Sequence, residues 1–239
     1  MFKDEVLITI KDMIKRYPIG DGELTALKHI NLEFEKGDFA GIVGPSGSGK
    51  TTLLNIIGSL DTPTEGSAEV LGFKIERLNH GQAAKLRSLS LGFIFQTYNL
   101  LPVYTVFENV EFPLLLLKMT AEERSQRVLE ALEWVHLSDK VNVKPAHLSG
   151  GEAQRVAIAR AIVKKPKIVL ADEPTANLDA ENSYNILNIM LNLNKELKTT
   201  FLFATHDEKV IRYLKRKISL VDGKVVSDEQ KKPEIVKTK

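Results

Sequence analysis

The residues best suited to chemistry stand together early in the chain, as Gly44-Pro45-Ser46-Gly47-Ser48-Gly49-Lys50-Thr51, with Thr52 next. An apolar run, Phe39–Val43, precedes them and a helix-like segment, Thr52–Ile57, follows. Strand, glycine-rich loop and helix, in that order, form the setting in which G-x-x-x-x-G-K-T acts as a phosphate-binding loop rather than an ordinary glycine-rich turn. The glycines let backbone N–H groups turn inward around phosphate oxygens, and the helix start adds a favourable dipole. Lys50 would reach the β- and γ-phosphates of a nucleotide, and the Thr51 hydroxyl would bind Mg²⁺.

A second cluster is Asp172-Glu173, at the end of the apolar run Ile168–Ala171. Open α/β sheets bind ligands at the carboxyl ends of their parallel strands. Burying acids without partners is costly, so a metal is a natural reason for them. Asp172 is assigned to Mg²⁺, directly or through water, and Glu173 to the attacking water as general base. The plainer alternative is a strand-to-loop acid pair. A third cluster, Leu148-Ser149-Gly150-Gly151-Glu152, precedes a helical stretch. Ser149 can cap that helix while Gly150 and Gly151 bare their N–H groups, giving a second anion-binding surface far from the first in sequence.

The elements that must position these groups read as an α/β core. Val6–Ile10 and Ile30–Phe34 alternate as strands, with a turn-rich Gly20-Asp21-Gly22 between them. Their short connection favours antiparallel pairing, and hence a small β-layer beside the main sheet. Residues 67–77 carry a short strand pattern, 82–88 read as helix, and Leu91–Phe95 as a strand ending in Gln96. A helical region follows, with a capping-box start at Thr120 and a long helix from Glu152 to Lys165. The run Ile168–Ala171 and the run Phe201–Ala204 suit parallel strands buried on both faces, separated by a helix over 180–198. Asp222-Gly223 signals a closing hairpin. The expected organisation is one domain: 1–90 and 166–226 as nucleotide-binding core, about 91–165 as an inserted helical lobe, and 227–239 as a polar tail.

Bulk properties exclude several classes. The chain has 239 residues, a net charge of +2 and no cysteine. The charge gives no ground for a nucleic-acid partner, and disulfides, thiolate metal sites and cysteine nucleophiles are excluded. Met1–Glu5 carries acids where a secretory signal would be apolar. The most apolar stretch, Phe112–Leu117, stops at Lys118, well short of the roughly 18 residues a membrane span requires. Leucines 114–117 read as core, with a partner-binding face as the alternative.

Gly44–Thr51, Gln96, Leu148–Glu152, Asp172-Glu173, Asn177-Leu178-Asp179 and His206 occur in the order seen in ABC-type ATPases. The chain resembles that family from Tyr17 to the Asp222-Gly223 turn. The resemblance implies the ABC ATPase fold, an α/β P-loop NTPase core with a small antiparallel β-layer and an inserted helical lobe. It also implies ATP with Mg²⁺, held between two copies of the chain closed head to tail. Ser149, Gly150 and Gly151 of one copy would then bind the γ-phosphate of ATP in the other. Gln96 would sense Mg²⁺ and water, Asp179 would lie at the dimer interface, His206 would hold the γ-phosphate, and Tyr17 would stack on adenine. On the residues alone, Tyr17 also fits a packed surface aromatic, Gln96 a polar strand end and His206 a core histidine.

Two departures from the family pattern bear on the site. Glu152 stands where Gln is common, placing a negative charge near the second phosphate surface, and Asn177 stands where a small residue is common. Within the family, Leu53–Gly66 and Leu91–Pro102 with Glu108-Asn109-Val110 are most similar to ATPases of the lipoprotein-release and macrolide-export type, a group with cell-division and peptide-resistance members. That likeness implies an ATP-hydrolysing motor on the cytoplasmic face of the membrane, attached through an integral membrane permease, with no nucleic-acid partner.

Overall fold

The structure, a computed structural model, describes residues 5–234. Met1–Asp4 of the acidic N-terminus, and 235–239 of the expected tail, lie outside those residues.

The chain opens in a long hairpin of β1 (Val6–Ile19) and β2 (Gly22–Glu35), paired antiparallel. Both strands outrun the segments the alternation marks. Register shifts between Ile10 and Met13 and between Met13 and Arg16 break the period of two, and Asp12 and His29 take left-handed φ values of 47° and 54°. Tyr17 is therefore carried on a strand. β3 (Phe39–Val43) and α1 (Lys50–Ile57) follow, then β4 (Glu65–Val70) and β5 (Phe73–Lys74), which widen the hairpin into an antiparallel layer ordered β2-β1-β4-β5.

Beyond α2 (His80–Ser90) and β6 (Leu91–Ile94) comes the helical region of α3 (Val106–Glu111), α4 (Ala121–Trp134) and α5 (Gly150–Ile162). The core then resumes with β7 (Ile168–Asp172), α6 (Ala180–Leu197), β8 (Thr200–Thr205), α7 (Glu208–Tyr213), β9 (Arg216–Val221) and β10 (Lys224–Gln230). The main sheet is ordered β10-β9-β3-β8-β7-β6, parallel except for the last hairpin strand β10.

Alternate residues of its central strands feed two separate cores. Phe39, Val169, Ala171, Phe201 and Phe203 pack toward the helices, whereas Ala40, Ile42, Ile168, Leu170, Leu202 and Ala204 pack toward α1 and the antiparallel layer. Burial on both faces explains why these strands read as unbroken apolar runs.

Some expected boundaries move. Leu91–Ile94 pairs with Ile168–Ala171 in the main sheet, so the helical region begins after Ile94 and not at about 91. The tail does not begin at 227, because β10 continues to Gln230, opposite Arg216. The leucine run is core only in part: Leu114 is fully buried, but Leu115 and Leu116 are 53% and 74% exposed. A 3-10 turn over Phe112–Leu116 points them outward, at a spacing an apolar run does not reveal. Helices α3 and α7, six residues each, are too short for a helical period to show in the sequence.

Candidate nucleotide site

Parallel pairing puts the functional residues at one edge of the main sheet. Val43 lies opposite Thr205, Asp172 opposite Ala204, and Ile94 opposite Ala171. The loop after β3, Gln96 after β6, Asp172-Glu173 after β7 and His206 after β8 therefore share the carboxyl edge of neighbouring strands. This is the ligand edge of an open α/β sheet.

The phosphate loop closes tightly onto α1. Gly49 caps the helix at φ 102°, and a Cβ there would come 2.6 Å from the Ala26 carbonyl oxygen, so only glycine fits. Lys50 is buried and donates to the carbonyls of Gly44 (2.8 Å) and Pro45 (2.9 Å), which leaves one of its three N–H donors. The Ser48 hydroxyl is buried with no hydrogen-bond partner among the described residues, as a donor kept for an anion would be. The Gly223 amide donates to the Ser48 carbonyl at 3.1 Å, and the Lys28 amide donates to the Gly223 carbonyl at 2.7 Å. The Asp222-Gly223 turn, left-handed at both residues, thus braces the loop from behind. A cleft of about 330 Å³ opens here, lined by Tyr17, Leu24, Lys50, Thr51, Thr52 and Asp222 among others.

Thr51 donates to Asp172 Oδ2 at 3.0 Å and lies 3.3 Å from Oδ1. Burial raises the Asp172 pKa, the Thr51 bond lowers it, and the like charge of Glu173 raises it again, for a net upward shift. Glu173 has a left-handed φ of 46°, a costly region for a non-glycine residue. Its conformation is held by its amide donating to Ala204 (2.9 Å) and by Thr205 Oγ1 donating to Oε2 (2.9 Å). His206 Nδ1 lies 2.5 Å from Oε1. A carboxylate only accepts, so Nδ1 is the donor of this pair. No sequence motif points to Thr205, or to the bond from Thr175 Oγ1 to Asp207 at 2.9 Å. A hydroxyl directly before a strand-end histidine was the available signal.

Ser149, Gly150 and Gly151 are not in the cleft lining. They begin α5, with the Ser149 hydroxyl accepting from the Glu152 amide (3.2 Å) and the Glu152 carboxylate accepting from the Ser149 amide (2.8 Å). That bond, with Lys140 at 3.3 Å, holds the Glu152 carboxyl below its ordinary value. The charge that departs from the family pattern is thus compensated within the chain. Gly150 packs near Tyr98, Leu178 and Asn177, and a Cβ on Gly151 would come 2.5 Å from Asn182 Oδ1. Asn182 is in turn bonded by both its amides to Asp179, which caps α6. Asn177 donates to the Gln96 carbonyl at 2.9 Å, linking this second surface to the first.

Fold and site together define a nucleotide-hydrolysing P-loop ATPase with an inserted helical region. The family model described as ABC transporter matches residues 27–176. The ABC transporter ATP-binding protein YvrO of Bacillus subtilis is 46% identical over 94% of this chain and 97% of its own length. The lipoprotein-releasing system ATP-binding protein LolD of Legionella pneumophila is 41% identical over 95% of this chain and 100% of its own. Among solved structures, the dimeric ATP-binding cassette MJ0796 of Methanocaldococcus jannaschii, in a post-hydrolysis state bound to ADP and Pi, superposes with a TM-score of 0.86. It is 43% identical, covering 94% of this chain and 98% of that one. The chain belongs to the ABC transporter ATP-binding family. It is an ATP-hydrolysing subunit of that class.

Proposed function

We propose that the cleft binds ATP with Mg²⁺, that a second copy of the chain completes the site, and that hydrolysis drives an integral membrane permease. The observation that carries this reading is the separation of the two anion-binding surfaces. Lys50 and Thr51 line the cleft, whereas Ser149–Gly151 lies outside its lining, with Gly150 beside Leu178 and Asn177. One ATP can meet both surfaces only if another copy supplies the second, and the MJ0796 cassette is described as dimeric.

The roles follow from placement. The oxygens of Thr51 and Asp172 form a small hard-donor set on two rigid elements, which suits Mg²⁺ shared with phosphates; Gln96, at the adjacent strand end, would complete it. When bound, Mg²⁺ neutralises charge on the phosphate oxygens. Lys50 binds the β- and γ-phosphates. Glu173, oriented through both oxygens, takes a proton from the attacking water. His206 offers Nε2 toward the γ-phosphate, and Asp179 keeps the α6 start in place at the facing surface. Tyr17 stacks on adenine.

The permease would meet the groove lined by Phe93, Phe95, Phe112, Pro113, Leu116 and Lys164, an exposed apolar patch of the kind that marks protein contact. No helix of the described residues is long and apolar enough to cross a membrane. By the likeness to transporter ATP-binding subunits, attachment would be peripheral, on the cytoplasmic face. The likeness to a protein named for lipoprotein release supports lipoprotein as cargo, with macrolides or peptides next by sequence likeness.

Affinity capture of a Glu173→Gln chain from detergent-solubilised membranes with ATP tests the assembly. The expected product is a complex of two copies with a membrane subunit of few spans and a large extracytoplasmic domain. A compact many-span permease would overturn the release reading. Recovery of DNA or ribosomes without a membrane protein would overturn transport.

A further inference from the structure

The aromatic wall of the cleft is fixed from behind. The Tyr17 hydroxyl donates to Asp61 Oδ2 at 2.6 Å, and Lys15 Nζ donates to Asp61 Oδ1 at 2.5 Å and to the Thr62 carbonyl at 2.9 Å. The same ammonium stands 4.8 Å from the centroid of the Tyr17 ring. Lys15 is only 9% exposed and does not line the cleft, whereas Tyr17 does. One face of the ring is thus covered by a cation and its hydroxyl is held by a carboxylate, leaving the other face for a ligand.

Asp61 is itself immobilised. Its Oδ1 accepts from the Thr62 amide at 2.7 Å, Arg16 donates its amide to Thr64 Oγ1 at 3.0 Å, and Thr64 donates its amide to the Ile14 carbonyl at 2.8 Å. An Arg16–Glu65 ion pair closes the far end. The loop after α1 is therefore riveted to β1 along the stretch that carries Tyr17. Burial would raise the Asp61 pKa, but the bonds from Lys15 and Tyr17 prevail and hold the carboxyl below its ordinary value, so it remains a charged acceptor.

We propose that Asp61 and Lys15 are positioning residues for nucleotide binding, locking the Tyr17 ring as a ready-made platform for the base. The proposal rests on reading the cleft as the ATP site. A ring ordered before the nucleotide arrives loses less freedom on binding than a free one. If the cluster served only to staple a loop to a strand, its loss would not distinguish a ligand with a base from one without.

The test compares ADP with inorganic pyrophosphate, both with Mg²⁺, by calorimetric titration of the full chain as wild type, Tyr17→Phe, Asp61→Ala and the double variant. Tyr17→Phe keeps the ring and the Lys15–Asp61 pair, so it reads positioning even if Asp61→Ala melts early. Expected is about a five- to tenfold weaker ADP affinity in each single variant, with pyrophosphate unchanged within about twofold. The double variant should fall within about twofold of the weaker single, since both remove one coupled interaction. Unchanged ADP affinity in Tyr17→Phe, equal losses for ADP and pyrophosphate, or fully additive effects would each overturn the proposal. If the wild type binds pyrophosphate but ADP no more tightly, the base platform is absent and the Tyr17 assignment falls with it. If the wild type binds neither, the nucleotide reading of the cleft falls as well.

Discussion

His206 Nδ1 lies 2.5 Å from one oxygen of Glu173, while Thr205 donates to the other oxygen at 2.9 Å. Two successive residues at the end of β8 thus aim a carboxylate that belongs to the end of β7. Glu173→Gln, which keeps the shape and removes the proposed base, should lower the ATPase rate by about 100-fold or more. ATP affinity should stay within about threefold of wild type. A variant that turns over normally would remove Glu173 as the base.

Thr205→Val tests the positioning directly. It preserves volume and deletes the donor to Oε2, so kcat should drop about tenfold, in line with the loss of one hydrogen bond to a charged group. KM for ATP should hardly change, because Thr205 is buried and does not line the cleft. A rise in KM with unchanged kcat would mean that Thr205 serves nucleotide binding instead.

Asp172 makes the site costly to keep folded. Its pKa is raised chiefly by burial above the ordinary 3.8, so the folded chain holds this proton to higher pH than the unfolded chain does. Its contribution to stability is complete below about 3.8 and is lost as pH rises through the folded value. Asp172→Asn should therefore melt higher than wild type at pH 7.5, with the gap closing as pH approaches 4. The residue is only partly buried, so solvent screening keeps the gain small. The same variant should lose ATPase activity. An equal or lower melting point at pH 7.5 would contradict the argument.

Gly151→Ala probes the second surface without touching the first. The new Cβ would meet Asn182 Oδ1 at 2.5 Å and push it from Asp179. ATP-driven dimerisation and hydrolysis should fall about tenfold or more, while ADP binding to the cleft stays within about twofold. Equal losses in both would argue against two separate surfaces.

What the sequence made legible was local. The phosphate loop, the Ser149 cap and the acids after Ile168–Ala171 are fixed by spacing within a few residues, and each stands where that spacing implies. The Asp222-Gly223 turn was legible for the same reason. Thr205 with Glu173, Tyr17 with Asp61 and Gly151 with Asn182 are pairs made by tertiary packing, and nothing near each residue names its partner. The bulges at Asp12 and His29 hid the length of β1 and β2, since a slipped register erases the alternation by which a strand is read. The outward turn of Leu115 and Leu116 was hidden because composition carries no direction.

Strand β3, which delivers the phosphate loop, has β8 and β9 as its neighbours in the sheet, and the brace behind the loop is Gly223. All of these lie far downstream of the loop in sequence. On a ribosome adding about 5–20 residues per second, the loop would wait roughly ten to thirty seconds for them. The cradle can be assembled only after the residues up to Gly223 have followed it. Its apolar strand passes through that interval without β8 and β9, so early nucleotide binding has no completed site to capture.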